Sequence, residues 1–181
     1  PRFEIVAVAA SERSAGKSYA EAVKGRWAMA APIPDRIGVL VVQDASRVAE
    51  VSRGVDFVFC AVDMPKDRTR ELEDLFAKAE TPVVSNNSAH RGTPDVPVVI
   101  PEINSGHFAA IEGQRRRLGT KRGFVVAKPN CSLQSYVPAI HPLREFGPKK
   151  VVVCTYQAIS GAGKTFKDWP EMVDNVIPFI G

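Results

Sequence analysis

The sequence predicts an α/β fold with an open, doubly wound sheet of parallel strands. Short apolar runs of strand length alternate with stretches of helical character, a pattern typical of parallel strands joined by crossover helices. The run at residues 55–62 is nearly continuous in apolar side chains, as expected of a strand covered on both faces. Residues 66–79 instead place Leu72, Leu75, Phe76 and Ala79 along one helical face.

The elements follow from these patterns in chain order. Strands are predicted for the apolar runs at residues 3–9, 38–42, 55–62, 82–85 and 150–156. Helices are predicted for the stretches at residues 18–24, 46–51 and 66–79. Two further apolar runs, at residues 96–100 and 123–127, lead into a Pro-Glu-Ile-Asn segment and a Pro-Asn-Cys turn.

A different pattern starts at residue 149, where a strand-like run is followed by a Gly-rich loop. We therefore predict a first domain at residues 1–130 and the start of a second, α+β domain at residues 131–181. In open parallel sheets, ligands bind beyond the carboxyl ends of the strands. The loops expected to form such a site are those at residues 11–17, 60–64, 85–91 and 129–132.

Composition limits the classes of function. The 181 residues are 45% hydrophobic and 24% charged, with a net charge of +4, which suits a globular protein. The basic residues are not interleaved with aromatic ones, so nucleic-acid binding is not expected. No signal peptide and no apolar run of membrane-spanning length is visible, which predicts a cytoplasmic protein without a membrane partner. The three cysteines form no metal-like pair, and no metal site is expected.

Cys131 is the candidate nucleophile. The apolar run at residues 123–127 leads into Pro129, Asn130 and Cys131, and a helix-compatible stretch follows. This order places Cys131 at or near a helix N-terminus, where unpaired backbone N–H groups and the helix dipole favour a thiolate. A buried structural cysteine is the alternative, and it is the role expected of Cys60 and Cys154, which lie inside apolar runs.

Two segments partly match the phosphate-binding pattern G-x-x-x-x-G-K-[ST], at residues 11–18 and 158–165. Each follows a predicted strand. However, Ser11 and Ala158 replace the first glycine, which lets the loop wrap the phosphates. This departure weighs against a nucleotide triphosphatase.

The first of these loops is explained better as a turn that binds a dinucleotide. Dehydrogenases that prefer NAD place an acidic side chain on the ribose hydroxyls. This turn offers hydroxyls and cations instead, from Ser11, Arg13, Ser14 and Lys17, and the planar guanidinium of Arg13 is able to bind a 2′-phosphate bidentately. A polar surface turn is the simpler alternative.

Three motifs occur in a specific order along the chain. They are Ser-Glu-Arg-Ser-Ala-Gly-Lys at residues 11–17, Pro-Asn-Cys-Ser at 129–132 and Gln-Ala-Ile-Ser-Gly-Ala-Gly at 157–163. Further matches lie at residues 85–91, 95–97, 101–104 and 174–178. With these motifs the chain resembles, over essentially its whole length, the aspartate-β-semialdehyde dehydrogenases of archaea, fungi and some bacteria. The related malonyl-CoA reductases share the fold and the thiolate chemistry and are the nearest alternative.

The resemblance implies a Rossmann-like NADP-binding domain at residues 1–130 and a catalytic and dimerisation domain that starts at residue 131. It implies the reversible, phosphate-dependent conversion of L-aspartate 4-semialdehyde to 4-phospho-L-aspartate with NADP, a step of lysine, threonine and methionine biosynthesis. The Cys131 thiolate would attack the acyl phosphate, and the thioester would then accept hydride, which divides one hard reduction into two easier steps. The implied assembly is a homodimer or homotetramer.

The same resemblance implies roles for individual residues. Gln157 would position the substrate beside Cys131, Asn130 would shape the site, and Arg91 would bind the phosphate or phosphoryl group. Contacts with NADP are implied for Ser11, Arg13, Ser14, Lys17, Asn86, Ser160, Gly161, Ala162 and Gly163.

Two parts of the family pattern, one at each end, have no counterpart in the sequence. A first strand with its glycine loop is expected before Pro1, and the acid–base histidine and the substrate-binding arginine are expected after Gly181. None of His90, His107 and His141 lies in a motif that matches the acid–base histidine. The polypeptide alone is therefore expected to be inactive. A cysteine hydrolase, which needs a histidine to activate the thiol, and a nucleotide-binding module without chemistry stay open as other classes.

Overall fold

The structure is a computed structural model that describes residues 3–162 and 164–178. The chain divides into two units between His141 and Pro142, and each unit is described by itself. The functional domains expected at residues 1–130 and 131–181 stay a prediction.

The first unit alternates strands with helices, as predicted. Its strands are β1 (Val8–Ala10), β2 (Val42–Asp44), β3 (Val58–Cys60), β4 (Val83–Ser85) and β5 (Val125–Ala127). The α-helices are α1 (Tyr19–Ala22), α2 (Asp35–Gly38), α3 (Val48–Val51), α4 (Lys66–Lys78), α5 (Pro101–Asn104), α6 (Ala110–Leu118) and α7 (Cys131–Ile140). Short 3-10 helices cover Ser105–Ala109, His141–Phe146, Ile159–Ala162 and Pro170–Met172.

All the strands that pair with each other are parallel, which confirms the predicted α/β class. β1 pairs with β2, and a second sheet has the order β3-β4-β5. The predicted single sheet is thus divided in two. Strands β1 and β3 are not paired, and residues of both line one groove together with apolar side chains such as Phe3, Ile5 and Phe59.

The strands are shorter than the apolar runs that predict them, because a strand persists only where a neighbour accepts its hydrogen bonds. β1 begins at Val8, where the register with β2 starts, rather than at residue 3. The strand predicted at residues 38–42 begins only at Val42, since Gly38 ends the helical turn α2 that Pro34 and Asp35 initiate. The run at residues 96–100 forms one parallel bridge, between Val98 and Ala127.

Helix α4 supplies much of the core, although the predicted face is partly wrong. Leu72 and Phe76 are buried as expected, but Leu75 is 45% exposed, and Ala79 lies beyond the end of the helix. The position that replaces Leu75 in the buried face is Glu73, with no exposed surface at all. The core cluster consists of Val51, Cys60, Leu72, Phe76, Ala77, Val83, Val96, Val125 and Ala127.

The described residues of the second unit form turns and 3-10 helices. The strand predicted at residues 150–156 is wrong, because these residues are exposed and belong to no strand. In residues 3–162 and 164–178, no segment pairs with them. An extended segment without a partner leaves its backbone N–H and C=O groups to water, so the apolar pattern alone does not make a strand.

Candidate active site

Three parallel strands end side by side and bring their following loops together. Cys60, Ser85 and Ala127 are register partners at the carboxyl ends of β3, β4 and β5. The Asn86 N–H donates to the Cys60 carbonyl at 2.8 Å, and the Lys128 N–H donates to the Ser85 carbonyl at 2.8 Å. The loops after β4 and β5 are therefore neighbours at the edge where open parallel sheets bind ligands.

Cys131 is the first residue of α7 and is exposed, in agreement with its predicted place at a helix start. Asn130 caps the helix, since its side-chain oxygen accepts a hydrogen bond from the Ser132 backbone N–H at 2.8 Å. Other N–H groups of the first turn have no partner within a helix and face its open end. The thiol is thus exposed at the positive end of a helix dipole, the position predicted for the nucleophile.

The two other cysteines are not equivalent to Cys131. Cys60 is buried as expected, and desolvation, reinforced by the nearby Glu73 carboxylate, raises the pKa of its thiol to about 12. Cys60 is therefore protonated near neutral pH and unsuited to nucleophilic attack. Cys154 is exposed, so its predicted place in the core is wrong, because the run at residues 150–156 finds no strand to pack against.

Arg91 connects the loop after β4 with the turn that leads to Cys131. Its side chain is half-buried, and its Nε donates to the Lys128 carbonyl at 3.0 Å. Among the described residues, no group forms a hydrogen bond or ion pair with its two Nη atoms. A guanidinium held through Nε and open at both Nη atoms presents paired N–H donors, a geometry that matches phosphate oxygens. Asn86 is exposed in the same loop.

The loop after β1 forms a tight turn with exposed cations. The Ser14 N–H donates to the Ser11 carbonyl at 2.9 Å, and Gly16, with φ +83°, donates to a carbonyl of β2 at 2.9 Å. Arg13 and Lys17 are exposed, and no described residue forms a hydrogen bond or ion pair with the Arg13 guanidinium. The turn therefore offers an unpaired guanidinium at the carboxyl end of β1.

Ser18 decides between the two explanations of this loop. Its hydroxyl donates to the Glu21 carboxylate at 2.7 Å, and the Glu21 N–H donates back to the hydroxyl at 3.3 Å. This capping box starts α1. The hydroxyl that a P-loop offers to a nucleotide-bound metal is thus used within the helix, which argues against the triphosphatase alternative.

The predicted residues of the second unit lie around one 3-10 helix. Ser160, Gly161 and Ala162 belong to the helix at Ile159–Ala162, while Gly163 lies outside the described residues. The Gln157 amide packs directly over Gly161, so that a Cβ atom at this glycine would overlap it. Gly161 is therefore required for this placement of Gln157. The meeting of Gln157 with Cys131, which belongs to the first unit, stays a prediction.

Sequence reasoning missed the buried Glu73 behind the loop at residues 85–91, and it missed the burial of His90 within that loop. Glu73 and His90 have 0% and 1% relative exposure, and no pattern around His90 indicates that it is buried. One signal was available for Glu73: together with Thr69, Leu72 and Phe76 it follows the spacing of a buried helical face.

Among the described residues, no three His, Cys, Asp or Glu side chains are grouped so that they would hold a metal ion. In the same part of the chain, every helix is too short or too polar to cross a membrane.

Comparisons with known proteins agree with this arrangement. The family model described as "Semialdehyde dehydrogenase, NAD binding domain" matches residues 1–111. The chain is 39% identical to the aspartate-semialdehyde dehydrogenase of Archaeoglobus fulgidus over 180 residues, which is 99% of this chain and 50% of that protein. It is 40% identical to the enzyme of the same name from Aspergillus fumigatus, with 99% of this chain and 48% of that protein covered.

A solved structure gives the same result. The crystal structure of aspartate semialdehyde dehydrogenase with NADP from Candida albicans is similar with a TM-score of 0.77 and 33% identity, covering 99% of this chain and 49% of that one. The chain thus spans about half the length of the relatives that it matches. Its parallel sheets are those of a Rossmann-like dinucleotide-binding domain, and the match over residues 1–111 shows that the chain belongs to the semialdehyde dehydrogenase family.

Proposed function

We propose that this chain is part of an NADP- and phosphate-dependent enzyme that interconverts L-aspartate 4-semialdehyde and 4-phospho-L-aspartate. The observation that carries the proposal is the exposed Cys131 at the start of α7. In the turn just before it, the Lys128 carbonyl accepts a hydrogen bond from Arg91. The names of the relatives support the substrate, and the NADP complex of the Candida albicans enzyme supports the cofactor.

Cys131 is the nucleophile of the proposed reaction. Its thiolate attacks the acyl carbon of 4-phospho-L-aspartate, so that a C–S bond forms while the C–O bond to phosphate breaks and phosphate leaves with the electron pair. Arg91 holds the phosphoryl group through its free Nη atoms and stabilises the departing charge. Gln157 orients the substrate, and Asn130 holds the helix start that carries the thiolate.

The residues present fit NADP. When bound, reduced NADP would supply the hydride for reduction of the thioester, and Cys131 would depart from the acyl carbon as a thiolate. The unpaired Arg13 guanidinium, with Ser11, Ser14 and Lys17 in the same turn, suits the 2′-phosphate. Asn86 lies at the end of β4, and the segment at residues 160–163 provides glycines for close backbone approach to the cofactor.

The wider setting follows from the same proposal. The enzyme works in the cytoplasm, as a homodimer or homotetramer, in the biosynthesis of lysine, threonine and methionine. The residues at the site also suit malonyl-CoA reduction, which uses the same thiolate step. Activity with malonyl-CoA and none with L-aspartate 4-semialdehyde would replace the substrate proposed here.

The test is a comparison of two cysteine variants in the whole enzyme that contains this chain. Cys131→Ser is expected to abolish phosphate-dependent NADPH formation from the semialdehyde and to leave the affinity for NADP nearly unchanged. Cys154→Ser, which alters a second exposed cysteine, is expected to retain wild-type rates. Substantial activity in Cys131→Ser would overturn the covalent mechanism.

A further inference from the structure

Glu73 is a fully buried carboxylate to which the proposed reaction gives no role. It lies on α4, behind the loop that follows β4. Its Oε1 accepts hydrogen bonds from the Ser85 hydroxyl at 2.5 Å and from the Asn87 side-chain amide at 3.1 Å. The Ser85 hydroxyl in turn accepts a hydrogen bond from the Asn87 backbone N–H at 3.0 Å. The carboxylate therefore fixes the first residues of the loop.

The other carboxylate oxygen of Glu73 faces the far end of the same loop. His90 is buried, and its Nε2 lies 3.9 Å from Glu73 Oε2, 3.5 Å from Asp74 Oδ1 and 3.4 Å from the Arg70 carbonyl. Its Nδ1 lies 3.1 Å from the Thr93 hydroxyl. Among the described residues, neither Glu73 Oε2 nor Asp74 Oδ1 receives a hydrogen bond. Both oxygens instead face the same polar group, the imidazole of His90.

One face of α4 thus supports the whole loop. Arg70, Glu73 and Asp74 are spaced so that they share a helical face, and the Arg70 guanidinium also donates to the Ala89 carbonyl at 2.9 Å. A buried carboxylate costs free energy unless hydrogen bonds compensate it. The hydroxyl and amide donors that bind Glu73 both belong to this loop, while the Cys60 thiol of β3 also faces the carboxylate, so movement of the loop would remove the two strongest donors from a buried carboxylate.

The loop carries two residues of the proposed site. Asn86 lies between Ser85 and Asn87, and Arg91 directly follows His90. We propose that Glu73 is a positioning residue: through its hydrogen bonds to Ser85 and Asn87 and its contact with His90, it holds Asn86 and Arg91 in place for the cofactor and the phosphate. This inference rests on the proposed function. It adds a residue of α4 that acts through the loop and not by contact with NADP or phosphate.

The test uses Glu73→Gln in the whole enzyme. Glutamine keeps an oxygen that accepts hydrogen bonds from Ser85 and Asn87, so the protein is expected to fold. Its amide nitrogen replaces the carboxylate oxygen that faces His90. Because the acceptor of both loop hydrogen bonds becomes neutral instead of charged, these bonds weaken, and the KM for phosphate is expected to rise roughly tenfold, while kcat stays within about twofold. Amide hydrogen exchange is expected to become faster at residues 86–91 and to stay unchanged elsewhere.

Glu71→Gln is the matched control. Glu71 lies on the same helix but is exposed and pairs with Arg68 at 2.9 Å, so its neutralisation is expected to leave both readouts at wild-type values. A purely structural role for Glu73 would lower the amount of active enzyme, and with it the apparent kcat, without changing KM. That result, or unchanged exchange at residues 86–91, would overturn the positioning role.

Failure of the proposed function gives a different result. In that case the wild-type enzyme itself shows no phosphate-dependent turnover of the semialdehyde. Hydrogen exchange then decides the role of Glu73 alone: faster exchange confined to residues 86–91 in Glu73→Gln supports it as the anchor of this loop, and unchanged exchange refutes it.

Discussion

Replacing Arg91 by lysine separates the charge of this side chain from its geometry. Arginine donates from Nε to the Lys128 carbonyl at 3.0 Å and keeps two Nη atoms for phosphate, whereas a lysine ammonium is a single point donor and cannot do both. A hydrogen bond from a charged donor contributes about 1.5–3 kcal/mol, and the lower half of this range applies to a half-buried group. Because each 1.4 kcal/mol is about tenfold, kcat/KM for phosphate is expected to fall roughly 10- to 40-fold.

The assay is the initial rate of NADPH formation at increasing phosphate concentration in the whole enzyme. Arg68→Lys serves as the control, since Arg68 is exposed on α4 and pairs only with Glu71 among the described residues. Its kinetic constants are expected to match those of the wild type. If Arg91→Lys also remained within about twofold of the wild type, the assignment of Arg91 to phosphate binding would be wrong.

Three further changes test other parts of the structure. Arg13→Ala is expected to weaken NADP binding by roughly 1–3 kcal/mol and to affect NAD much less, as measured by calorimetry. Gly123→Ala is expected to lower the free energy of unfolding in urea by about 3 kcal/mol, because its Cβ would lie 2.7 Å from a carbonyl carbon of α4. Hydrogen bonds from the backbone N–H groups of Lys121, then Gly123 and Arg122, lower the pKa of Glu80 below its ordinary value of 4.5. Glu80→Gln is therefore expected to reduce the thermal melting temperature at pH values above 4.5. The difference in melting temperature from the wild type is expected to vanish as the pH falls through the lowered pKa of Glu80.

Each of these predictions has an outcome that contradicts it. Equal losses for NADP and NAD would remove Arg13 from recognition of the 2′-phosphate. For Gly123, the control is Gly92→Ala, whose Cβ would meet open space, and equal stability of the two variants would refute the clash. If the difference in melting temperature between Glu80→Gln and the wild type persisted unchanged in strong acid, the charge of the carboxylate would not be what stabilises the turn.

The sequence was informative where a local pattern determines structure. The start of α7 at Cys131 was predictable, because Asn130 is a strong helix cap and an apolar strand precedes it. The turn at residues 11–17 was also predictable from its polar residues and Gly16. In both places the information lies within a few neighbouring residues.

The limits of the strands were not predictable, since they depend on distant partners. The runs at residues 38–42 and 150–156 have the same apolar character as true strands, yet only residues that hydrogen-bond to a neighbouring strand form one. Glu73 was missed for a related reason. A glutamate on a helix is normally exposed, and its burial depends on Ser85, Asn87 and His90, which reach it only in the folded protein.

The central claim is that Cys131 forms a thioester during the reaction. The direct measurement is mass spectrometry of the whole enzyme after incubation with L-aspartate 4-semialdehyde and NADP in the absence of phosphate, which would otherwise release the acyl group. We predict that the peptide containing Cys131 gains an aspartyl group, that hydroxylamine removes it, and that the peptide containing Cys154 stays unmodified. NADPH formation without acylation of Cys131, or acylation at Cys154 instead, would contradict the account.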